Sequence, residues 1–285
     1  MLWTPRGRGA FGWTFSSTGA TRLAAAWGTT ITPGNNTYGA YTQILSAANV
    51  AKDVMGIEVH VNSNAVSATA RDTILTIGVD PAGGTTYADV IPHLLVSSAS
   101  PVMVLGGGIS YFFPIFIKAG STVAAKASVN NATVGTLSCS LRVLGAPRDR
   151  TNMRVGTKVI PYGIATATST GTAVTPGTTA EGTATALGTI GASDRPWFWQ
   201  YGVGVNNGTI TAVGYSGDLL IGSAGAKATI CEDRVWMGTT TEQWSDDGLS
   251  YDGSYQGAPG DILYGRLQAS GTAITGLSMA AYGVV

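Results

Sequence analysis

The chain has 285 residues, of which 11% are charged, 44% are hydrophobic and 40 are glycine, with a formal net charge of +0. An ordinary soluble domain carries roughly 25% charged residues, so the surface is poor in charge, while the apolar content excludes intrinsic disorder as the general state. Zero net charge gives no basis for whole-chain attraction to nucleic acid or to an anionic membrane, and no run approaches the roughly 18 apolar residues of a membrane helix.

Residues 1–27 read as an N-terminal arm. It opens Met1-Leu2-Trp3-Thr4-Pro5-Arg6-Gly7-Arg8 and lacks the apolar stretch of a secretory signal. Trp3, Phe11, Trp13, Phe15 and Trp27 are set among Gly, Ser and Thr. Residues 1–52 contain Arg6, Arg8, Arg22 and Lys52 and no Asp or Glu, a local charge of +4 that the rest of the chain balances with −4. Aromatic surface left in water costs about 25 cal/mol per Å², so the arm is expected to pack on its own domain or on a neighbouring subunit. Trp3, Arg6, Arg8, Phe11, Trp13 and Phe15 are the interface candidates.

The arm precedes an internal repeat. Gly28-Thr-Thr-Ile-Thr-Pro-Gly-Asn-Asn-Thr-Tyr-Gly39 aligns with Gly171-Thr-Ala-Val-Thr-Pro-Gly-Thr-Thr-Ala-Glu-Gly182 at an offset of 143. Ile57–Asn62 aligns with Tyr201–Asn206, and Leu75, Ile77 and Gly78 with Leu219, Ile221 and Gly222, at 144. Gly120–Lys126 aligns with Gly260–Arg266, and Leu137-Ser138 with Leu277-Ser278, at 140. Collinear matches of this kind predict a tandem duplication, with domains over 28–145 and 171–285. The arm has no sequence counterpart before the second copy. Residues 146–170 form a connector, either a plain linker or a strand donated to a neighbour.

Both copies carry strand periodicity. Ile57, Val59 and Val61 alternate with Glu58 and His60, and Leu137, Cys139, Leu141 and Val143 alternate with Ser138, Ser140 and Arg142. Turn signals recur at Pro33-Gly34, Pro81–Gly84, Asn206–Gly208, Asp246–Gly248 and Pro259-Gly260. Only Leu23–Trp27 and Gln43–Met55 hint at helix. The expected fold is all-β, two tandem antiparallel β-sandwiches of jelly-roll-like topology. Cys139 and Cys231 fall at non-equivalent positions of the repeat and are expected to be free, buried thiols.

The second copy holds the acidic residues. Between 231 and 261, Glu232, Asp233, Glu242, Asp246, Asp247, Asp252 and Asp261 stand against Arg234 alone, a local charge of −6. Asp246, Asp247 and Asp252 could offer hard oxygen ligands to Ca²⁺, although acidic turns are usually only solvated. Trp236 and Trp244 beside these loops are further interface candidates. Trp197, Phe198, Trp199 and Tyr201 could form a sugar-stacking platform, but Trp199 and Tyr201 align with the apolar Met55 and Ile57, which favours core. His60 and His93 are the only histidines, and His60 reads as a strand-surface residue. No nucleophile elbow, zinc signature, phosphate loop or redox motif is present. The sequence therefore predicts no catalytic residues, no metal and no cofactor.

The segment Phe113-Pro-Ile-Phe-Ile-Lys-Ala-Gly-Ser-Thr-Val-Ala-Ala-Lys126 resembles a segment of structural proteins of tailed bacteriophages. The second copy keeps Pro259-Gly260, Leu263 and Arg266 of this pattern and departs at Asp261, Tyr264 and Gln268. The resemblance implies a non-enzymatic virion component (collar, tail, fibre or head decoration), made in the host cytoplasm. Its partners would be copies of itself and other virion proteins, without nucleic acid or membrane. The alternative is a β-sandwich receptor- or glycan-binding module of a phage fibre.

Overall fold

A computed structural model of the chain describes residues 14–16, 28–64, 73–96, 109–130, 136–145, 154–205, 213–238, 243–245, 255–271 and 277–285. The described residues are all β, with nineteen strands and no helix. Where Gln43–Met55 hinted at helix, Thr42–Leu45 is a strand, and Ser46 begins a tight turn whose carbonyl accepts from Asn49 and Val50. Sheet pairing overrides a weak local preference there. The other helix hint, Leu23–Trp27, lies outside the described residues.

The first half contains β1 (Thr14–Ser16), β2 (Thr29–Ile31), β3 (Gly34–Asn35), β4 (Thr42–Leu45), β5 (Val54–Asn64), β6 (Thr73–Asp80), β7 (Ala88–Leu95), β8 (Ile109–Phe113), β9 (Thr122–Val129) and β10 (Thr136–Gly145). One sheet runs β2-β10-β5-β8, with β1 beside β2 on the same edge of β10, and the other runs β4-β9-β6-β7. These are the strand orders of a jelly roll. Ile57, Val59, Val61, Cys139, Leu141 and Val143 from the first sheet are buried against Leu75, Ile77, Val123 and Ala125 from the second. The period-2 pattern of the sequence is thus the inner face of the sandwich.

The second half contains β11 (Val159–Tyr162), β12 (Thr172–Val174), β13 (Thr185–Thr189), β14 (Phe198–Val205), β15 (Val213–Gly222), β16 (Lys227–Gly238), β17 (Gln243–Ser245), β18 (Ile262–Ala269) and β19 (Leu277–Val284). Here β12-β19-β14 faces β13-β18-β15-β16. The short parallel pairing of Gly34 with Ser128 has its counterpart in Gly177 with Gln268. Two features separate the halves from the sequence expectation. β17 pairs with β16 and not with the β19 sheet. β11, inside the expected connector, pairs with residues 281–284 of β19 just as β1 pairs with residues 142–144 of β10. The arm strand and the connector strand therefore fill matching places, although their sequences show no match.

The connector is pinned on both sides. Gly156 accepts from Phe116 N and donates to Pro114 O, both at 2.8 Å, while Thr157 donates to Val285 O at 2.7 Å. A Cβ on Gly156 would collide with Val284 and the Val285 carbonyl, so only glycine fits this crossing.

The β19 sheet is buried on both faces. Trp199, Tyr201, Leu277, Met279 and Ala281 belong to the second core, and Phe198, Ala280, Tyr282 and Val284 to the first. The outward face of that sheet closes the open side of the first sandwich, where β7 and β8 are edge strands. Exposed edges invite pairing with another chain, and here side chains of the second half occupy them. Leu95 N donates to Tyr282 Oη at 2.7 Å, and Phe112 N donates to Gln200 Oε1 at 3.1 Å. Tyr111, from β8, donates to Leu95 O on β7 at 2.6 Å and so bridges the two sheets at the same rim.

Candidate functional site

On β6, the core residues Leu75, Ile77 and Val79 alternate with Thr76, Gly78 and Asp80, yet the strand is buried throughout. The cover comes from aromatic side chains laid over the sheet. A Cβ on Gly78 would stand 2.6–2.7 Å from the Tyr41 ring, so the missing side chain is the seat of that ring. Tyr38 lies next to it and accepts a hydrogen bond from Thr76 Oγ1 at 3.0 Å.

Opposite Thr76 the β7 ladder bulges. Leu75 pairs with Leu94 and Ile77 with Ile91, so Pro92 and His93 together oppose Thr76. Proline cannot donate to a ladder and belongs at an edge or a bulge; Pro92 has both. His93 takes a φ of 58°, a left-handed conformation that costs a non-glycine residue about 1–3 kcal/mol and is held only by its surroundings. Its N–H donates to Thr76 Oγ1 at 3.1 Å, and its Nδ1 lies 2.5 Å from Tyr38 Oη. Burial, helped by Lys126 and opposed by Asp89, pulls the His93 pKa below its ordinary value. Because the Tyr38 oxygen accepts from Thr76, its own proton is free to be donated to Nδ1 of a neutral His93 ring. Burial also pushes the Tyr38 phenol up to about 12, with Asp89 adding to the rise and the Thr76 hydrogen bond opposing it.

Lys126, central on β9, completes the cluster. Its Nζ donates to both Asp89 oxygens at 3.0 and 3.2 Å and sits 4.9 and 4.6 Å from the ring centroids of Tyr38 and Tyr41. The Tyr41 hydroxyl donates to Asp89 as well, and burial followed by this bond raises its pKa. Tyr87 packs on Tyr41, centroids 5.0 Å apart and planes tilted by 44°. The turn that presents Tyr87 is braced by Asp80, whose carboxylate accepts from Ala82 N and Thr86 N, each at 2.9 Å. Sequence reading missed this cluster; a proline followed by one of only two histidines inside a strand was the available signal.

The matching place in the second half carries different chemistry. Arg266 stands opposite Asp218 as Lys126 stands opposite Thr76, and Glu181 aligns with Tyr38 at the repeat offset of 143. Arg266 donates through Nε and Nη2 to Asp218 at 2.9 and 2.7 Å and through Nη1 to Glu181 at 2.7 Å. This is a closed ion triad, with Lys227 4.7 Å from the nearby Tyr264 ring.

A third cluster lies on the outer face of the β10 sheet. Glu58 and His60 are two apart on β5, opposite Arg142 of β10 and Ser110 of β8. The Arg142 guanidinium donates to Glu58, His60 Nε2 lies 3.4 Å from Glu58, and Nδ1 lies 2.7 Å from Ser110 Oγ. Burial alone would raise the Glu58 pKa, but the His60 hydrogen bond and Arg142 outweigh it and hold the carboxyl below its ordinary value. His60 is thus a surface residue as expected, its side chain 42% exposed, and the row is a cross-strand ion-pair ladder.

Of the sequence candidates, Trp3, Arg6, Arg8, Phe11, Trp13, Asp246, Asp247 and Asp252 lie outside the described residues. Phe15 pairs with Val143 in β1, so this part of the arm extends its own domain's sheet. Trp236 pairs with Tyr215 and Ser245, and Trp244 with Met237. Phe198, Trp199 and Tyr201 are buried core residues and form no exposed platform. Among the described residues no group of three His, Cys, Asp or Glu side chains is placed to hold a metal ion.

No protein-family model matches the chain, and no curated protein sequence matches it. Among solved structures it is similar, at 10% identity and a TM-score of 0.39, to PNGF-II, over 97% of this chain and 66% of that one. It is similar at 10% identity and 0.33 to the STIV MCP, over 96% of both chains. Tripeptidyl peptidase 2 follows at 10% and 0.30, over 95% of this chain and 23% of that one. The chain thus spans just under two thirds of the PNGF-II length. All three TM-scores are below 0.5.

Proposed function

We propose that the chain is a non-enzymatic structural component of a tailed-phage virion, packing as a symmetric oligomer with copies of itself and other virion proteins. The observation that carries this reading is the position of the phage-like segment Phe113–Lys126. Its first residues, Pro114 and Phe116, exchange hydrogen bonds with Gly156 and so tie the second jelly roll to the first. The segment then runs on into β9, an interior strand of its sheet. A resemblance concentrated where two sandwiches are locked together suits a protein whose work is to hold shape within an assembly. The basic, aromatic arm supplies a contact surface for a neighbour, with Trp236 and Trp244 beside the acidic loops as its counterpart.

Mass spectrometry of purified particles tests the reading, with the chain expected in stoichiometric amounts. Deleting residues 1–13, which leaves β1 on the edge of β10, is expected to reduce oligomer formation and incorporation. A chain absent from particles, or an oligomer unchanged by the deletion, overturns it.

A second reading, a receptor- or glycan-binding module of a phage fibre, is favoured by one observation. The Tyr41–Tyr87 pair lies beside Asp89, whose side chain is 40% exposed.

A further inference from the structure

We propose that the outer face around Tyr41, Tyr87, Asp89 and Lys126 is a saccharide site that takes a neutral hexose unit. The proposal rests on the binding-module reading and gives it a place and a ligand class.

The chain contains its own control. In the second half the framework cation, Arg266, is clamped by two carboxylates, Asp218 and Glu181. That is sufficient to anchor a basic residue on the central strand. In the first half Thr76 and Tyr38 stand in those two places. Lys126 is held instead by one carboxylate from the edge strand and by two aromatic rings. The second half anchors its cation on two carboxylates without these rings, so an aromatic layer is not required to hold a basic residue on this strand.

Its chemistry matches a pyranose, which offers an apolar C–H face and a rim of hydroxyls. The tilted Tyr41–Tyr87 pair gives an angled apolar wall. Asp89 accepts and Lys126 donates within hydrogen-bond distance of each other, 3.0 Å apart, which suits two adjacent hydroxyls. Gln43, exposed beside Tyr87, adds an amide. Asp89 and Lys126 neutralise one another, so the face selects no charged sugar.

The site is also built in advance. Gly78 seats Tyr41, Asp80 braces the turn before Tyr87, and Thr122 Oγ1 donates to Gly84 O in that turn at 2.6 Å. Groups fixed before the ligand arrives lose little entropy on binding.

The full chain would be titrated with neutral gluco-, galacto- and manno-trisaccharides and with sialyllactose, by calorimetry and saturation-transfer NMR. Saturable binding of one neutral series is expected. Tyr87→Ala and Asp89→Asn should each weaken it at least about tenfold, while Phe116→Ala, at an exposed aromatic elsewhere, should leave it unchanged. If Tyr87→Ala loses the fold, as read by circular dichroism, Asp89→Asn decides. No saturable binding of a neutral series, equal affinity in all variants, or preference for the sialylated probe overturns the proposal. Preference for the sialylated probe would overturn the neutral-hexose site and leave the binding-module reading standing, whereas no binding of any probe overturns both; the virion reading is tested separately on particle content.

Discussion

Tyr282, in the last strand, donates its hydroxyl proton to the backbone carbonyl of His93 at 3.1 Å, across 189 residues of sequence. The same oxygen accepts from Leu95 N at 2.7 Å. One phenol of the second half thus satisfies two backbone groups of an edge strand of the first, next to the bulge that positions His93 against Tyr38. The interface between the halves and the candidate site share a strand.

Tyr282→Phe keeps the ring, which meets Tyr111 and Phe113 edge-on, and removes only the hydroxyl. A buried N–H and C=O then lose this partner, at a cost of about 1–3 kcal/mol. Urea denaturation should show the loss of stability, with the far-ultraviolet β signal of the folded chain unchanged.

Gly202 is the place where Tyr111 crosses the β14 strand, and a Cβ there would enter the van der Waals shell of the Tyr111 hydroxyl. Gly202→Ala should destabilise the fold by about 1–3 kcal/mol. Tyr111→Phe removes the clashing atom together with its bond to Leu95 O. The double variant should therefore be more stable than the sum of the two single losses, by about 0.5–3 kcal/mol. A strictly additive cycle would mean that the two positions do not touch.

Stability should rise with pH through the histidine range. Burial holds the His93 pKa below the ordinary 6.5, so below that pH the unfolded chain binds a proton that the folded chain does not. The contribution is complete above 6.5, declines as pH falls, and levels once the folded-state pKa is passed. Glu58, held below its ordinary 4.5, adds a separate loss at lower pH. Comparing denaturation midpoints at about pH 8 and about pH 5 should show the histidine effect, and His93→Asn, which tolerates a positive φ, should flatten it. An unchanged pH slope in that variant would assign the effect elsewhere.

Both thiols should be silent in the folded protein. Cys139 faces the first core, where burial pushes its pKa up to about 12, and Cys231 is buried in the second. Thiol reagents act on the thiolate, so a disulfide reagent at about pH 8 should find no reactive cysteine natively and both after denaturation. Rapid native reaction would contradict the burial of these strands.

The sequence determined that the chain is built of strands and which side of the alternating ones faces inward. Strict alternation at Ile57–Val61 and Leu137–Val143 can bury only one way, because a one-residue slip would turn every apolar side chain to solvent. The match of Gly120–Lys126 with Gly260–Arg266 likewise placed two strands, β9 and β18, that occupy corresponding positions in their sheets. Tertiary structure alone decided what covers the other faces. Ser278, Ala280 and Tyr282 alternate with Leu277, Met279 and Ala281 of the second core, yet all three are buried as well, because the second half closes the rim of the first. β11 joins its sheet through backbone hydrogen bonds that require no sequence likeness to β1. The cluster at Lys126 draws on four segments distant in the chain, so its residues carry no local period or spacing. Its strained centre, His93, holds a backbone conformation that Thr76, Tyr38 and Tyr282 impose together and that its own neighbours in sequence do not.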